Sequence, residues 1–257
     1  MLLLIDIGNT NIVLGIEDKG EIVKSFRIAS DQAKTTDEYG LLIKTLLTSN
    51  QVDLTKLEAA VISSVVPKLS FTIPKVIRTY LGIKVIEVGV GTKTGIEIRY
   101  DNPREVGSDR IVNSLAAYEI YGGPAIIVDM GTAISFDVIN EKGAYLGGAI
   151  APGIESASNS LFTRASRLPK VELERPKKAI GKTTNQSLQS GIVLGYISLI
   201  DGLVERLAAE MELSLDDVKV IATGGFTDLI LNETKRIEYI DPNLTLKGLK
   251  FIYEKNS

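Results

Sequence analysis

An internal repeat constrains the fold of this 257-residue chain more than any other feature. Residues 4–16 and 128–139 each hold an apolar run that ends in Asp-x-Gly, then a small polar residue and a second apolar run. Asp6 of the first copy matches Asp129 of the second, 123 positions later. A repeat of this length is too long for a solenoid unit, so it indicates a duplicated domain.

The match continues through a Lys-Gly turn into a third strand, over 21–28 in one copy and 144–150 in the other. Each half is therefore expected to begin with a three-stranded antiparallel meander. Further patterns predict a helix over 37–49, a strand over 59–63, a helix after Pro67, a long helix over 184–211, a strand over 218–222 and a helical stretch after Gly224-Gly225. This mixture predicts the α/β class. The expected domains are 1–115 and 116–257, with a ligand cleft between them.

Composition excludes several kinds of chemistry. The chain has no Cys and no His, which excludes Ser-His-Asp and Cys-His catalysis, disulfides, and zinc sites built from these residues. Acid-base work then falls to Asp, Glu, Lys or Tyr. A net charge of -3 without a dense basic block argues against nucleic acid as a partner. No targeting segment and no apolar stretch near the roughly 18 residues of a membrane span are visible, so a cytoplasmic protein without a membrane partner is expected.

The two Asp-x-Gly turns are candidates for a phosphate site. A single copy would more simply be an ordinary hairpin turn, but two copies in register favour a ligand site. Glycine lets the backbone approach a ligand, and successive turn N–H groups form a concave anion site. The carboxylates of Asp6 and Asp129 can hold a cation against phosphates, with a hydrated Mg²⁺ expected at Asp6. The P-loop and dinucleotide fingerprints are both absent from the sequence.

A loop between the two halves carries a second candidate group. Residues from 108 onward predict the first turns of a helix, with Ser108 or Asp109 as its cap. Asp109 could be only that cap, and Arg110 only a surface charge. In the functional interpretation, Asp109 is a general base for an alcohol and Arg110 is an anion clamp. The residues alone leave both interpretations open.

The long helix predicted over 184–211 contains three glycines, Gly191, Gly195 and Gly202. Glycine inside a helix costs about 1 kcal/mol relative to Ala. Close packing against another helix would offset that cost. The packing partner could be the other domain or a second subunit.

Several motifs resemble those of a known superfamily. Residues 6–11, 129–133 and 222–225 look like the two phosphate motifs and the adenosine motif of the actin, sugar-kinase and chaperone ATPase group. That resemblance implies two ribonuclease-H-like domains around an interdomain ATP cleft. Glu105-Val106-Gly107-Ser108-Asp109-Arg110 closely resembles the E-V-G-x-D-R motif of type III pantothenate kinases. The likeness extends over nearly the whole chain and includes residues 62–67 and 147–153.

The family resemblance implies roles for individual residues. ATP phosphates would be contacted by Asp6, Ile7, Gly8, Asn9, Thr10, Asn11, Ile12, Val13 and Thr132. The pantothenate site would consist of Tyr100, Gly107, Ser108, Asp109, Arg110 and Thr184. Asp109 would accept the hydroxyl proton, and Asp129 would bind the monovalent cation, K⁺ or NH₄⁺. Subunits would pair as homodimers, with Thr184 reaching a site shared across the dimer.

The implied activity is ATP-dependent phosphorylation of pantothenate to 4′-phosphopantothenate, the first step of coenzyme A biosynthesis. One alternative is another small-molecule kinase of the superfamily, such as a sugar or acetate kinase; the E-V-G-x-D-R match argues against it. A second is a non-enzymatic accessory factor for transcription. The acidic composition and the intact set of Asp6, Asp109 and Asp129 argue for an enzyme.

Overall fold

The computed structural model describes residues 1–165, 167–230 and 233–257. In chain order the helices and strands are β1 (Leu2–Ile7), β2 (Asn11–Asp18), β3 (Glu21–Ala29), α1 (Thr36–Ser49), β4 (Ala59–Ser64), α2 (Pro67–Val76), β5 (Lys84–Glu87), α3 (Ser108–Tyr121), β6 (Ala125–Met130), β7 (Ala133–Ile139), β8 (Tyr145–Pro152), α4 (Ile154–Arg164), α5 (Thr184–Glu210), β9 (Lys219–Gly224), α6 (Thr227–Ile230), β10 (Tyr239–Ile240) and α7 (Leu244–Asn256). A π-helical turn, Ile77–Leu81, continues α2. The predicted α/β class is confirmed, and the predicted meanders, helices and strands lie within a few residues of their expected bounds.

The chain divides into two compact units. The first consists of residues 1–96, 101–116 and 243–257, and the second of residues 97–100 and 117–242. Within the described residues, each unit contains one five-stranded sheet, in the orders β3-β2-β1-β4-β5 and β10-β9-β6-β7-β8.

In the first unit, β1 lies at the centre of the sheet. It pairs antiparallel with β2 and parallel with β4. Apart from the half-buried Asp6, its side chains are apolar and buried, as expected for a strand covered on both faces. The core on one face includes Tyr39 and Ile43 of α1 and Leu69 of α2. Helix α1 begins at a capping box formed by Thr35 and Glu38.

The other face of the first sheet is covered by α7. Leu249 and Ile252 of this helix are fully buried, and α7 packs against β1 and β4. A Cβ on Gly15 of β2 would lie 2.7 Å from a methyl carbon of Leu246, so a glycine is needed where the helix crosses the strand. The sequence predicts residues 243–257 in the second domain, but the apolar face of α7 places them in the first unit. Whether two domains that fold independently meet after residue 115 stays a prediction.

The second unit repeats the arrangement of the first. Strand β6 pairs antiparallel with β7 and parallel with β9. The long helix α5 begins at a cap in which Thr183 accepts a hydrogen bond from the Gln186 N–H at 3.2 Å. One stripe of α5 is buried against the sheet, at Val193, Ile197, Ile200, Val204 and Ala208. Among the described residues, none of the helices has both the length and the apolar character needed to cross a membrane.

The two Asp-x-Gly turns differ in length, although the repeat spacing predicts them to be equal. Ile7 pairs with Ile12 across the first turn, and Met130 pairs with Ile134 across the second. The first turn therefore has one more residue than the second.

The 123-residue spacing is restored at the next turn. Glu17 pairs with Ile22 in the first meander, and Ile139 pairs with Tyr145 in the second, where the turn is one residue longer. A register shift of the β-bulge type precedes this turn at the equivalent place in both copies. The two length changes compensate, which is why the spacing is the same at both ends of the repeat.

Candidate active site

The β1–β2 turn is held in a fixed shape by backbone hydrogen bonds. Gly8 N–H donates to the Asn11 carbonyl at 3.0 Å. The Ser30 hydroxyl donates to the Gly8 carbonyl at 2.5 Å, and Ser30 N–H donates to the Thr10 carbonyl at 3.0 Å. A Cβ on Gly8 would lie 3.2 Å from the Asn11 carbonyl oxygen, so a side chain there would press on the turn.

The predicted ATP-contacting stretch, residues 6–13, is not uniform. The side chains of Asn9 and Thr10 are exposed, and Asp6 is half-buried. Ile7 and Ile12 are fully buried in the core. These two residues can therefore offer a ligand only backbone groups, while the polar residues between them can offer side-chain donors.

The start of α3 is tied to the end of β4. The Ser108 hydroxyl lies 3.0 Å from the hydroxyl of Ser63, accepts from Ser64 N–H at 3.1 Å and donates to the Ser64 carbonyl at 3.1 Å. Ser63 is completely buried. Ser108 is the first residue of α3, and its hydroxyl bonds to β4 instead of capping the helix.

These contacts bring two candidate groups to one edge of the first sheet. Strands β1 and β4 are parallel, with Ile7 opposite Ser64. Val65 N–H donates to the Ile7 carbonyl at 3.0 Å. Because the carboxyl ends of parallel strands meet at the same edge, the β1–β2 turn and the start of α3 lie side by side. This is the edge at which open α/β sheets bind ligands.

Asp109 lies in the first turn of α3 and is largely withdrawn from water. Its Oδ1 accepts a hydrogen bond from Arg110 N–H at 2.8 Å. Burial raises the pKa of the Asp109 carboxyl, and the Arg110 N–H and guanidinium oppose that rise. A carboxyl group whose pKa is shifted upward by burial is suited to accept a proton from an alcohol.

Gly107 leaves the space that the Asp109 carboxylate occupies. A Cβ at position 107 would lie 2.5 Å from Asp109 Oδ1, closer than such atoms approach. The close approach of the Asp109 carboxylate therefore explains why this chain has a glycine at that position of the E-V-G-x-D-R motif. Arg110 follows in the same helical turn, half-buried.

In the second unit, the β6–β7 turn lies against the start of α4. Gly131 N–H donates to the Ala133 carbonyl at 3.0 Å. The Thr132 carbonyl accepts from Gly153 N–H at 3.1 Å and from the Ser156 hydroxyl at 3.0 Å. A side chain on Gly153 would collide with the Thr132 carbonyl. Thr132 itself is exposed, so its side chain is accessible to a ligand.

The Gly224-Gly225 turn reaches the same edge of the second sheet. Asp129 lies opposite Thr223 in the parallel pairing of β6 with β9. Gly225 N–H donates to the Met130 carbonyl at 3.1 Å, and Gly224 has φ +97° with no room for a Cβ beside that carbonyl. The second unit thus groups Asp129, the β6–β7 turn and the predicted adenosine motif.

Two remaining predicted residues also lie in the second unit. Tyr100 is about one-third exposed, at 36%, and lies beside Gly147 of β8. Thr184 is exposed at the first position of α5. The predicted pantothenate residues therefore fall into two groups, residues 107–110 in the first unit and Tyr100 with Thr184 in the second.

The arrangement of acidic side chains suits a cation that takes most of its ligands from water and substrate phosphates. Within the described residues, no cluster of three or more acidic side chains surrounds a common point. Mg²⁺ ordinarily keeps several waters and binds through one or two carboxylates plus substrate phosphates. A single carboxylate beside a candidate phosphate-binding turn, as at Asp6, fits that pattern.

Sequence reasoning missed the residues that hold the site in place. Ser63 anchors Ser108, and Gly153 makes room for the Thr132 carbonyl. Both lie in segments, 62–67 and 147–153, where the family resemblance is strong without an implied role. That unexplained similarity is the signal that could have pointed to them.

Two comparisons of the sequence with known proteins indicate the same family. The type III pantothenate kinase model matches residues 2–206. A type III pantothenate kinase from Moorella thermoacetica is 51% identical over 257 residues and is matched over 100% of both chains.

Solved structures share the fold at lower identity. A conserved protein from Campylobacter jejuni, assigned to the Baf family of transcriptional activators, aligns over 99% of this chain and 98% of its own with 23% identity and a TM-score of 0.63. A ROK family glucokinase from Streptomyces griseus, in complex with glucose and AMPPNP, aligns over 96% and 97% with 14% identity and a TM-score of 0.52. The architecture is the actin-like ATPase fold of two ribonuclease-H-like domains. With its family-model match and its identity to a curated relative, the chain belongs to the type III pantothenate kinase family.

Proposed function

We propose that the chain transfers the γ-phosphoryl group of ATP to pantothenate, forming 4′-phosphopantothenate, the first step of coenzyme A biosynthesis. The observation that supports this most directly is the buried Asp109 carboxylate, held at the start of α3 beside a phosphate-type turn. A kinase acting on an alcohol needs a carboxylate in hydrogen-bond reach of the attacking hydroxyl.

In the proposed reaction, Asp109 accepts the proton of the primary hydroxyl of pantothenate. The hydroxyl oxygen then forms a bond to the γ-phosphorus as the bond to the β–γ bridging oxygen of ATP breaks, and ADP leaves. Arg110, next to Asp109 in the same helical turn, binds the negatively charged carboxylate of pantothenate. Gly107 keeps the base in place, because a larger residue would occupy the position of its Oδ1.

Phosphate binding is assigned to the two Asp-x-Gly turns. In the first unit, backbone N–H groups of the β1–β2 turn other than that of Gly8, together with the side chains of Asn9, Thr10 and Asn11, donate to phosphate oxygens, and Ile7, Ile12 and Val13 border them. In the second unit, the exposed Thr132 donates to the same class of oxygen. Such preorganised donors stabilise the charge that develops on the transferred group.

Two cations are part of the proposal. Asp6 is assigned to the hydrated Mg²⁺ that accompanies ATP, and Asp129 to a monovalent cation, K⁺ or NH₄⁺. When bound, they neutralise phosphate charge. Asp129 is the last residue but one of β6, as Asp6 is of β1, so each carboxylate lies close to the turn that follows its strand.

The α4–α5 face of the second unit supports a homodimer. Among the described residues, a Cβ on Gly191, Gly195 or Gly202 would meet no atom within 4 Å. A groove of about 280 Å³ between α4 and α5 is lined mainly by apolar groups, including Leu161, Ile192, Gly195, Tyr196 and Leu199. A stripe of helix glycines that nothing covers suits close approach by a second copy. Thr184, at the start of the same helix, is assigned to a pantothenate site completed by that pairing.

A coupled assay of ADP release tests the proposal. Mg-ATP is supplied with and without pantothenate, in buffer with K⁺, with NH₄⁺, or with neither. Turnover that requires both pantothenate and a monovalent cation is the expected result. ATP turnover that ignores pantothenate, or that prefers sugars or acetate in an acceptor panel, would contradict the substrate assignment. Pantothenate-dependent turnover of equal rate without monovalent cation would contradict the role of Asp129 alone.

A further inference from the structure

The segment that carries Tyr100 is hydrogen-bonded to the second unit at Tyr145. Residues 97–100 pack with the second unit, whereas the chain on both sides of them packs with the first. Tyr145 N–H donates to the Glu97 carbonyl at 2.8 Å, and Arg99 N–H donates to the Tyr145 carbonyl at 2.8 Å. Both of these hydrogen bonds join the segment to the backbone of Tyr145 in β8.

The side chain of Tyr145 is held in place by a hydrogen bond to Asp137. It is fully buried, and its hydroxyl donates to Asp137 Oδ1 at 3.1 Å. Asp137 of β7 is also fully buried and accepts a hydrogen bond from the Ser135 hydroxyl at 2.9 Å. A buried carboxylate is costly unless hydrogen-bonded, so this arrangement strongly favours one orientation of the Tyr145 ring.

The ring of Tyr145 in turn supports Tyr100. The two ring centroids are 6.2 Å apart with an angle of 51° between the planes, a favourable tilted arrangement for aromatic pairs. The Tyr100 ring also lies close to Gly147, where an added Cβ would lie 3.5 Å from Tyr100 Cε2. Tyr100 is thus seated on Tyr145 and Gly147 while part of its surface stays open to solvent.

We propose that Asp137 and Tyr145 are positioning residues for the pantothenate site. They fix the ring and the backbone segment that present Tyr100, and they act through Tyr100 without touching the substrate. This inference rests on the proposed function, in which Tyr100 contacts pantothenate. It predicts an effect on pantothenate binding that is separate from any effect on ATP.

The test is the Tyr145→Phe variant, which keeps the ring and removes the hydroxyl. We expect KM for pantothenate to rise about three- to tenfold, because a hydrogen bond to a buried carboxylate is lost and part of that loss reaches Tyr100. KM for ATP, and kcat at saturating pantothenate, should stay within about twofold of wild type. A raised KM with unchanged kcat identifies lost ground-state binding of one substrate.

A matched control is available in the same unit. The Tyr121 hydroxyl donates to Asp241 Oδ2 at 3.3 Å, and Asp241 is also buried. Tyr121→Phe therefore removes the same kind of bond, and it should lower the melting temperature by a comparable amount without changing KM for pantothenate. Asp137→Asn keeps one oxygen that can accept from Tyr145 but replaces the oxygen that accepts from Ser135, so its rise in pantothenate KM should be smaller than that of Tyr145→Phe.

Three results would overturn the inference. The first is a pantothenate KM that Tyr145→Phe leaves within twofold. The second is an equal rise in Tyr121→Phe, which would indicate a general loss of stability. The third is a kcat that falls with unchanged KM. In each of these cases a wild-type enzyme that needs pantothenate leaves the proposed function intact, whereas a wild-type enzyme that ignores pantothenate overturns both.

Discussion

At the scale of single residues, the burial of Asp109 suits it to accept a proton but lowers the stability of the folded chain. Its pKa is raised from the ordinary value of 3.8 because the carboxyl group is buried. Well below pH 3.8 the group is protonated in both the folded and the unfolded chain. As pH rises toward the folded-state pKa, the carboxyl group ionises first in the unfolded chain. The free energy of unfolding therefore falls, and it stays lower at neutral pH.

Asp109→Asn is therefore expected to lower activity and raise stability. The amide cannot accept the hydroxyl proton, and turnover should fall by about 10²- to 10⁴-fold. The amide does not ionise, so the variant should melt at a higher temperature than wild type at pH 7, with a smaller difference near pH 4. Thermal unfolding at the two pH values, beside the ADP-release assay, measures both effects. A variant with wild-type turnover when saturated with both substrates would exclude Asp109 as the base.

Gly107→Ala tests whether that base depends on the space beside it. The added Cβ would lie 2.5 Å from Asp109 Oδ1, so the carboxylate must move. We expect kcat to fall at least tenfold while the fold is retained. Gly89→Ala is the control, since a Cβ there would meet nothing within 4 Å among the described residues. Equal activity of the two variants would contradict the steric argument.

The candidate base could be predicted from sequence, but its support could not. The six-residue motif and the lack of His point to Asp109. The hydrogen bond between Ser63 and Ser108 joins residues 45 positions apart, and it depends on where α3 meets the end of β4. Local sequence does not encode such a pairing, so Ser63 could not be given a role before the fold was known.

At the scale of elements, the repeat predicts the strands of both meanders but not the lengths of their turns. A constant spacing is consistent with equal turns, and it is equally consistent with two compensating one-residue changes. The second case is observed, because the pairings of β1 with β2 and of β6 with β7 differ by one residue. Hydrogen-bonded register is a tertiary property, and spacing alone cannot determine it.

Helix α5 gives a prediction about assembly. Gly195→Leu places a large side chain in the groove between α4 and α5, where the proposed second copy approaches. We expect the particle mass in light scattering to fall from about twice to about once the 27.8 kDa of the chain. Gly89→Leu, at an uncrowded loop position, should leave the mass unchanged. A wild-type chain that is already monomeric, or a Gly195→Leu chain that is still dimeric, would exclude this face as the interface.

At the scale of the whole molecule, the repeat gives no sign that the end of the chain returns to the first unit. The repeat divides the sequence into consecutive halves, so it predicts consecutive domains. The structure sends residues 243–257 back to the first unit, because β1 and β4 have an apolar face that α7 covers. Amphipathic spacing can identify a helix, but it does not identify the sheet on which that helix packs.

Leu249→Ala measures how much α7 contributes to the first unit. Leu249 is fully buried, and truncating a buried Leu typically costs about 2–5 kcal/mol of stability. Chemical denaturation should show that loss in the free energy of unfolding. Glu254→Ala, at an exposed position of the same helix with a 3.5 Å ion pair to Lys250, should change it by less than about 1 kcal/mol. Similar values for both variants would contradict the assigned packing.

The placement of α7 also sets the order in which a nascent chain can mature. When a ribosome has translated residue 242, every segment of the second unit has been made, but the first unit still lacks a layer over β1 and β4. The half that is begun first is therefore completed last. Until residues 243–257 emerge from the exit tunnel, one apolar face of the first sheet is left without its cover, which is the condition under which chaperones bind newly made chains.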